Sequence, residues 1–345
     1  MDFVKTIVSI FVFISVLGGW FIYSEIYSAQ AQYEQAVTFE IQEDESIKEI
    51  SKKLEKKGVI RSRWLFEKYL TFRGLDTKVR PGNFKVQPPI TLARVAEALK
   101  RPENNQMKIT IIPGWDLHKL ADYFESKNII RSQDQLYKIT GKPAQKTDNT
   151  YVDIFDKPPT LLKSKPRGVN LEGYLRPDTY KIYKDSSIEE IIKKLIRARS
   201  EQFTDDMYSQ VKQKGRTIHE VLTVASMLER EVQTKTDKKK VADILWRRLE
   251  AGWQLQMDST VHYIHGEADT KFTTDKQRSS SNPYNTYEYT GLPPGPISIP
   301  SLESIQAAIE PTENDYWYFL TDSENRVHYA KNLRQHNINV ERYIK

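Results

Sequence analysis

A strand-and-helix pattern occurs twice in the N-terminal half of the chain and restricts what that half can fold into. In the first copy, Phe39-x-Ile41 precedes a helical pattern that ends at residues 58–62, Gly-Val-Ile-Arg-Ser. In the second copy, Ile109-x-Ile111 precedes a similar pattern that ends at residues 128–132, Asn-Ile-Ile-Arg-Ser. Alternation followed by apolar residues at i, i+3 and i+7 is typical of a strand followed by an amphipathic helix. We therefore predict a duplicated small αβ module.

Each copy continues into a second strand and helix, which start near Arg80-Pro81 and near Arg176-Pro177. The second copy is longer, and the polar, Lys- and Pro-rich stretch at about 140–165 is the predicted inserted loop. The modules would then span 38–105 and 106–200. Small modules of this type resemble LysM-like units, which hold N-acetyl sugars. The alternative is a spacer that only sets the height of the remaining chain above a membrane.

The first residues of the chain predict a membrane anchor. Thr6 to Tyr23 are 18 uncharged, mainly apolar residues, and as a helix they would span about 27 Å, close to a bilayer core. Ala29-Gln30-Ala31 resembles a signal-peptide cleavage site, which keeps a removable leader as the alternative. We predict an anchor over 1–24, a stalk over 25–37, and the rest of the chain outside the cytoplasm.

Composition restricts the classes of function. The chain has 345 residues, no cysteine and a net charge of +6, and it is 39% hydrophobic. Disulfides and thiol catalysis are therefore excluded, and the apolar content is too high for a disordered chain. The positive charge favours lipid headgroups or acidic cell-wall polymers as partners. Lysines scattered among glutamates, without an arginine-aromatic cluster, argue against nucleic acid. No phosphate loop or dinucleotide turn is present, and we predict no cofactor.

A strongly apolar helical stretch from Ile218 to Leu228 ends in Glu229-Arg230-Glu231. At 100° per residue the two glutamates lie about 200° apart, so they cannot face the same cleft. A carboxyl beside apolar residues has a raised pKa, which suits a general acid near neutral pH. Periodicity leaves open which glutamate faces a cavity and which has a structural partner. The alternative is a pair of surface glutamates bridged to lysines.

Polar and aromatic segments follow the helix and predict a site for sugars. Leu255 to Val261 alternates apolar and polar residues like a strand with one polar side. Asn282 to Tyr287 combines turn residues with two aromatic rings, and rings can stack on the apolar faces of sugars while amides pair with their hydroxyls; the alternative is an ordinary tight loop. Leu292 to Pro296 has few backbone donors and little freedom, which predicts a rigid wall or corner. His262-x-x-His265 has no carboxylate at helical spacing, so we predict no metal site. The predicted substrate-binding residues are Gln256, Asp258, Tyr284, Asn285, Thr286 and Tyr287.

These motifs resemble those of a known family. In order, they are Ala225–Glu231, Arg248-Leu249, Leu255–Asp258, Pro283–Tyr287, Gly291–Ile297 and His336-Asn337. Together they look like the endolytic murein transglycosylases (MltG, also called YceG-like). Members of that family have an N-terminal anchor and a LysM-like region before the catalytic domain, here 201–345. The resemblance implies an α+β chain with a single transmembrane helix, duplicated LysM-like αβ modules and a mixed α+β catalytic domain.

The resemblance also implies an activity. The second glutamate of the Glu-x-Glu pair, here Glu231, would be the catalytic acid of a bacterial lyase at the inner membrane. That lyase would cut the bond between N-acetylmuramic acid and N-acetylglucosamine in nascent peptidoglycan, forming 1,6-anhydro ends and terminating strand elongation. Its partners would be glycan strands and peptidoglycan synthases. The alternatives are a non-enzymatic wall-binding tether and a muramidase-type hydrolase.

The chain departs from the usual family pattern at four positions. Arg247 replaces an Asn, Val232 a Thr, Ser259 a Pro and Asn282 a Ser. None of these departures removes the acid.

Overall fold

The structure is a computed structural model that describes residues 2–29, 34–42, 45–102, 105–147, 153–266 and 273–344. For residues 2–12 and 14 it describes the backbone alone. The chain divides into two compact units, Met1–Lys108 with Lys181–Asp185, and Ile109–Tyr180 with Ser186–Lys345. Residues 30–33 of the predicted stalk, with part of the alternative cleavage site, and residues 148–152 of the predicted inserted loop lie outside the described residues.

The first unit combines helices with a two-stranded antiparallel sheet. Its elements are α1 (Asp2–Tyr27), β1 (Val37–Ile41), α2 (Ile47–Lys56), α3 (Arg63–Phe72), β2 (Gly82–Val86) and α4 (Leu92–Ala98). Strands β1 and β2 pair with Phe39 opposite Phe84, and both rings enter a core formed with α2, α3 and α4. Helix α2 starts where the Ser46 side chain and Glu49 form a capping box, which satisfies backbone donors at the helix N-terminus. The strand and helix predicted for the first copy are therefore present.

The chain passes from one unit to the other within β3 (Gln106–Thr110) and again within β4 (Thr179–Tyr183). The remaining elements belong to the second unit. They are α5 (Leu117–Ser126), α6 (Gln133–Thr140), a 3₁₀ turn (Thr160–Leu162), α7 (Ile188–Gln202), α8 (Asp205–Gln213), α9 (Ile218–Glu231), α10 (Lys235–Glu250), α11 (Asp258–His265), α12 (Asp275–Arg278), α13 (Leu302–Ile309), β5 (Tyr318–Thr321), β6 (Val327–Ala330) and α14 (Leu333–Tyr343). Strands β5 and β6 form an antiparallel hairpin.

Helix α9 is the centre of the second unit. Every residue from Ile218 to Leu228 except Glu220 is buried, because α10 and α13 pack against it. The helix begins at a capping box between Thr217 and Glu220 and ends at Glu231. The Trp246 indole N–H of α10 donates to the Ala308 carbonyl of α13 at 2.9 Å. The two glutamates therefore lie at the end of a helix that its neighbours hold in place.

The predicted membrane anchor over 1–24 is wrong. Helix α1 covers this region and continues to Tyr27, but no helix within the described ranges is both long enough and apolar enough to cross a bilayer. The end of α1 contributes to the first unit instead. Ile26 packs against the core of that unit, and the Glu25 carboxylate lies 3.5 Å from the Arg61 guanidinium. The mixed α+β fold remains without the transmembrane helix.

The strand predicted over Leu255 to Val261 is also wrong, because α11 begins within it at Asp258. Gln256 has a φ of 54°, which interrupts an extended backbone. Asp258 then occupies the first turn of α11, where a negative side chain interacts favourably with the helix dipole. Leu255 and Met257 are nevertheless buried and Gln256 is exposed. The alternation of apolar and polar residues therefore predicted which of these side chains are buried, but it did not predict the secondary structure.

Candidate active site

Glu231 is the last residue of α9 and is half-buried. The Ser259 backbone N–H donates to its Oε1 atom at 3.4 Å, and the Thr321 hydroxyl donates to its carbonyl oxygen at 3.0 Å. Burial raises the pKa of Glu231, and the nearby Asp258 carboxylate adds to this rise. Ser259 and the Arg230 charge oppose the rise without cancelling it. This carboxyl therefore has the elevated pKa that a general acid needs.

Glu229 has a different environment on the same helix. Its Oε2 atom accepts from the Ser301 backbone N–H at 2.9 Å and from the Ser301 and Ser304 hydroxyls at 2.5 Å each. The Lys238 ammonium lies 3.5 Å from the same oxygen. Burial alone would raise the pKa of Glu229, but these donors together lower it below its ordinary value. Glu229 is thus a charged anchor for the start of α13.

Asp258 lies beside Glu231, since it directly precedes Ser259. Its Oδ1 atom accepts from the Thr273 hydroxyl at 2.6 Å and from the Tyr287 hydroxyl at 2.8 Å. Burial and the Asp258 charge raise the pKa of Tyr287, so this phenol remains a donor. The structure therefore brings Glu231, Asp258 and Tyr287 together.

The other predicted substrate-binding residues separate into two groups. Gln256 is exposed, and its backbone N–H donates to the Thr286 carbonyl at 3.1 Å. Tyr284, Asn285 and Thr286 are buried. The Asn285 amide donates to the Arg278 and Ser280 carbonyls at 2.7 Å each, and the Thr286 hydroxyl accepts from the Met257 backbone N–H at 2.9 Å. These three residues shape the loop that carries Tyr287.

The proline-rich segment Gly291–Ile297 and the next residue, Ser298, are attached to α9 through Ser226 and His219. The Ile297 N–H donates to the Ser226 hydroxyl, and the Ser298 hydroxyl donates to the Ser226 carbonyl, both at 2.9 Å. His219 Nε2 lies 2.9 Å from the Pro294 carbonyl and Nδ1 lies 2.9 Å from the Tyr174 hydroxyl. Because a carbonyl can only accept, Nε2 carries the proton and Nδ1 accepts from Tyr174. Burial lowers the pKa of His219, which favours this neutral tautomer.

Sequence reasoning missed a second buried carboxyl in this unit. Glu172 Oε2 accepts from the Leu117 N–H at 3.2 Å and from the Tyr263 hydroxyl at 3.0 Å. Burial raises the pKa of Glu172 well above 4.5, so the neutral form is favoured. The available signal was its position between Leu171 and Tyr174, since a lone carboxyl among apolar residues is expensive to bury. Through Tyr263 it supports α11, the helix that begins at Asp258.

Arg230 was also missed as an organising residue. Its guanidinium lies 3.4 Å from the Asp116 carboxylate, and both side chains are almost fully buried. Asp116 is the N-cap of α5, so this pair joins the end of α9 to the start of α5. Within the described part of the chain, no group of three or more His, Cys, Asp or Glu residues could hold a metal ion.

Comparison with known proteins identifies the family. The sequence model of the YceG-like family matches residues 39–342. The chain belongs to the YceG-like family. An endolytic murein transglycosylase of Bacillus subtilis is 30% identical over 95% of this chain and 91% of its own length. One of Streptococcus pneumoniae is 28% identical over 98% of this chain. The chain spans 65% of the length of that streptococcal relative.

A solved structure of this family supports the fold. The 2.6 Å crystal structure of a YceG-like protein from Listeria monocytogenes is 28% identical in sequence to this chain. It superposes with a TM-score of 0.56 and covers 89% of this chain and 99% of its own. The family predicted from the motifs is therefore confirmed.

Proposed function

We propose that this YceG-like chain is a lytic transglycosylase that cuts peptidoglycan strands internally, with Glu231 as the catalytic acid. One observation supports this role for Glu231. The Glu231 carboxyl is half-buried at the end of α9 and its pKa is raised beside Asp258, whereas the Glu229 carboxylate is held by Ser301 and Ser304. The substrate and the reaction are supported by the relatives, which are named endolytic murein transglycosylases.

The proposed reaction needs one carboxyl group. Protonated Glu231 donates its proton to the glycosidic oxygen between N-acetylmuramic acid and N-acetylglucosamine, and the bond from that oxygen to the anomeric carbon breaks. Positive charge develops at the anomeric carbon. The 6-hydroxyl of the same muramoyl residue attacks this carbon, and its proton returns to the Glu231 carboxylate. The products are a 1,6-anhydro end and a free hydroxyl on N-acetylglucosamine, and no water is consumed.

Asp258 would support this reaction electrostatically. Its negative charge favours the protonated form of Glu231 before bond cleavage, and it would stabilise positive charge that develops close by. Thr273 and Tyr287 hold its carboxylate in one orientation. We propose that Gln256, Asp258 and Tyr287 contact the sugar directly. Tyr284, Asn285 and Thr286 would act by keeping the 283–287 loop in place.

The relatives suggest a cell-wall-associated protein, and we propose that it acts on nascent strands outside the cytoplasm. Internal cleavage of nascent strands would terminate their elongation, and a peptidoglycan synthase that makes those strands would be a partner. The αβ modules proposed over 38–105 and 106–200 would either hold N-acetyl sugars, as LysM-like units do, or act as spacers.

Product analysis tests the proposed function. Purified protein should convert isolated glycan strands into fragments with 1,6-anhydro ends, identified by mass spectrometry. A muramidase-type hydrolase would instead give fragments with reducing ends, which are heavier by one water. A wall-binding tether would leave the strands intact.

The pH dependence of cleavage should report the influence of Asp258 on Glu231. Removing the Asp258 charge in Asp258→Asn lowers the pKa of Glu231, because a like charge that raises it is lost. Less of the acid is then protonated at any given pH. We expect the high-pH limb of the kcat/KM profile to move to lower pH. Asp205→Asn, which removes an exposed carboxylate from the start of α8, should leave that limb in place. An unmoved limb in Asp258→Asn would show that Asp258 does not influence the acid.

A further inference from the structure

Aromatic side chains from three segments of the second unit form a partly exposed cluster. The Trp253 ring centroid lies 4.7 Å from that of Trp317 and 6.1 Å from that of Tyr318. The His336 ring stacks on Tyr318 with centroids 5.2 Å apart. Trp253 is 42% exposed, and Trp317 and Tyr318 are each half-buried. We refer to Trp253, Trp317 and Tyr318 as the aromatic platform.

Arg248 fixes the position of the platform. Its Nε donates to the Trp317 carbonyl and one terminal nitrogen donates to the Leu255 carbonyl, both at 2.8 Å. The guanidinium also lies over the Tyr318 ring, 5.1 Å from the centroid. The loop that carries Trp253 and the strand that carries Tyr318 are therefore joined by one buried cation. This arrangement makes the platform rigid before any ligand binds.

Both segments of the platform lead directly to the proposed active site. Beyond Leu255 the first segment continues to Asp258 and Ser259, and Ser259 donates to Glu231. The second segment is β5, which ends at Thr321, and Thr321 donates to the Glu231 carbonyl. Tyr318 and Thr321 are three positions apart on β5, which at ~3.3 Å per residue places them about 10 Å apart. A glycan chain whose cleaved bond lies at Glu231 would therefore reach the platform with sugar units further along the chain.

We propose that the aromatic platform is an outer subsite that stacks a sugar ring of the glycan strand away from the cleaved bond. This inference rests on the proposed function for its ligand. Pyranose rings present apolar C–H faces that pack against indole and phenol rings. A large exposed tryptophan on a rigid support loses little conformational entropy when it is covered. The Arg247 guanidinium lies 5.2 Å from the Trp317 centroid and is ion-paired with the Asp243 carboxylate, so it supports the platform from its own side of the ring.

The subsite has a kinetic consequence. A contact made equally in the ground state and the transition state lowers KM without changing kcat. The platform would hold a part of the strand that does not react, so its loss should raise KM and leave kcat near the wild-type value. Loss of a residue that acts on the reacting bond would instead lower kcat.

Direct binding measurements test the platform. In a Glu231→Gln background, Trp253→Ala should weaken binding of purified glycan strands by about tenfold, the size expected when an aromatic anchor is truncated. Trp253→Phe keeps a ring and should recover part of the affinity. The control is Ile338→Ala, which truncates an apolar side chain of α14 that is 54% exposed. This control should bind strands like the parent protein.

Several outcomes would overturn the inference. Strand affinity that is unchanged in both Trp253 variants would show that the platform does not bind sugar. Loss of binding to a peptidoglycan synthase with unchanged strand affinity would identify it as a protein-binding surface instead. If Trp253→Ala fails to fold, the strand affinity of Trp253→Phe alone tests the inference, and an unchanged affinity contradicts it. Mass analysis of the wild-type products tests the proposed function separately, because strand affinity can depend on Trp253 whether or not anhydro ends form.

Discussion

Glu231→Gln is expected to abolish cleavage of glycan strands while the fold and strand binding remain close to wild type. The amide has nearly the size of the carboxyl, so packing at the end of α9 changes little. It has no proton acidic enough to donate, and the leaving oxygen departs without assistance. General acid-base help is typically ~10²–10⁴-fold, and a group that performs both proton transfers should lie at the upper end. The measurement is the rate of anhydro-end formation by purified protein.

Glu229→Gln is the matched control, since the same change is made two residues earlier on the same helix. It weakens the contacts with Lys238, Ser301 and Ser304 and should lower the free energy of unfolding by about 1–3 kcal/mol. The folded fraction should still cut strands. Normal cleavage by the Glu231 variant together with inactivity of a folded Glu229 variant would show that the acid is assigned to the wrong residue.

The second large effect is expected from Arg199→Met, which should strongly destabilise the second unit. The Arg199 side chain is fully buried in α7 and donates to the Leu175 carbonyl at 2.7 Å and to the Pro300 carbonyl at 2.6 Å. Burial lowers its pKa to about 9, so it is still charged at neutral pH. Without it both carbonyls lose their donor, at about 1–3 kcal/mol each. We expect urea denaturation to show a loss of about 2–6 kcal/mol in the free energy of unfolding.

Arg197→Met is the control for this substitution. It lies two residues away on α7 and is exposed, with its guanidinium 6.0 Å from the Phe155 ring centroid, so its removal should change the free energy of unfolding by about 1 kcal/mol or less. A similar small effect for Arg199→Met would mean that methionine packing compensates for the lost hydrogen bonds, as it does for some buried ions. The result would then contradict a structural role for the guanidinium.

Arg199 and Glu229 hold adjacent residues of the same segment. Arg199 binds the Pro300 carbonyl, and Glu229 accepts from the backbone N–H of Ser301. Both therefore position the start of α13 against α9. Substitutions of residues that share a partner segment are not additive, so a double variant should lose less stability than the two single losses combined.

Local sequence patterns were sufficient for several elements. The spacing around Phe39 and Ile41 predicted β1 and the helix after it, and the apolar run from Ile218 predicted α9. Strand and helix periodicities depend on which neighbours along the chain share one face, and this information is contained in the residues themselves. The motif order was specific enough to identify the family.

The same local reasoning was wrong where a distant contact or one backbone angle determined the structure. Alternation from Leu255 to Val261 indicated a strand, but the positive φ of Gln256 and the start of α11 at Asp258 replaced it. The apolar run after Thr6 indicated an anchor, but no helix within the described ranges is both long enough and apolar enough to cross a bilayer, and the end of α1 packs on the first unit through Ile26 and Glu25. Neither contact is visible in the hydrophobic pattern.

The sequence by itself determined that the two glutamates at the end of α9 point about 200° apart. Only the tertiary structure decided what each of them meets. Glu229 meets Ser301 and Ser304, more than 70 residues further along the chain, and Glu231 meets the Ser259 backbone beside Asp258. The tertiary structure also buried Tyr284, Asn285 and Thr286 and left Gln256 exposed. Helical periodicity sets the direction of a side chain, whereas its pKa and its partners depend on segments that only folding brings together.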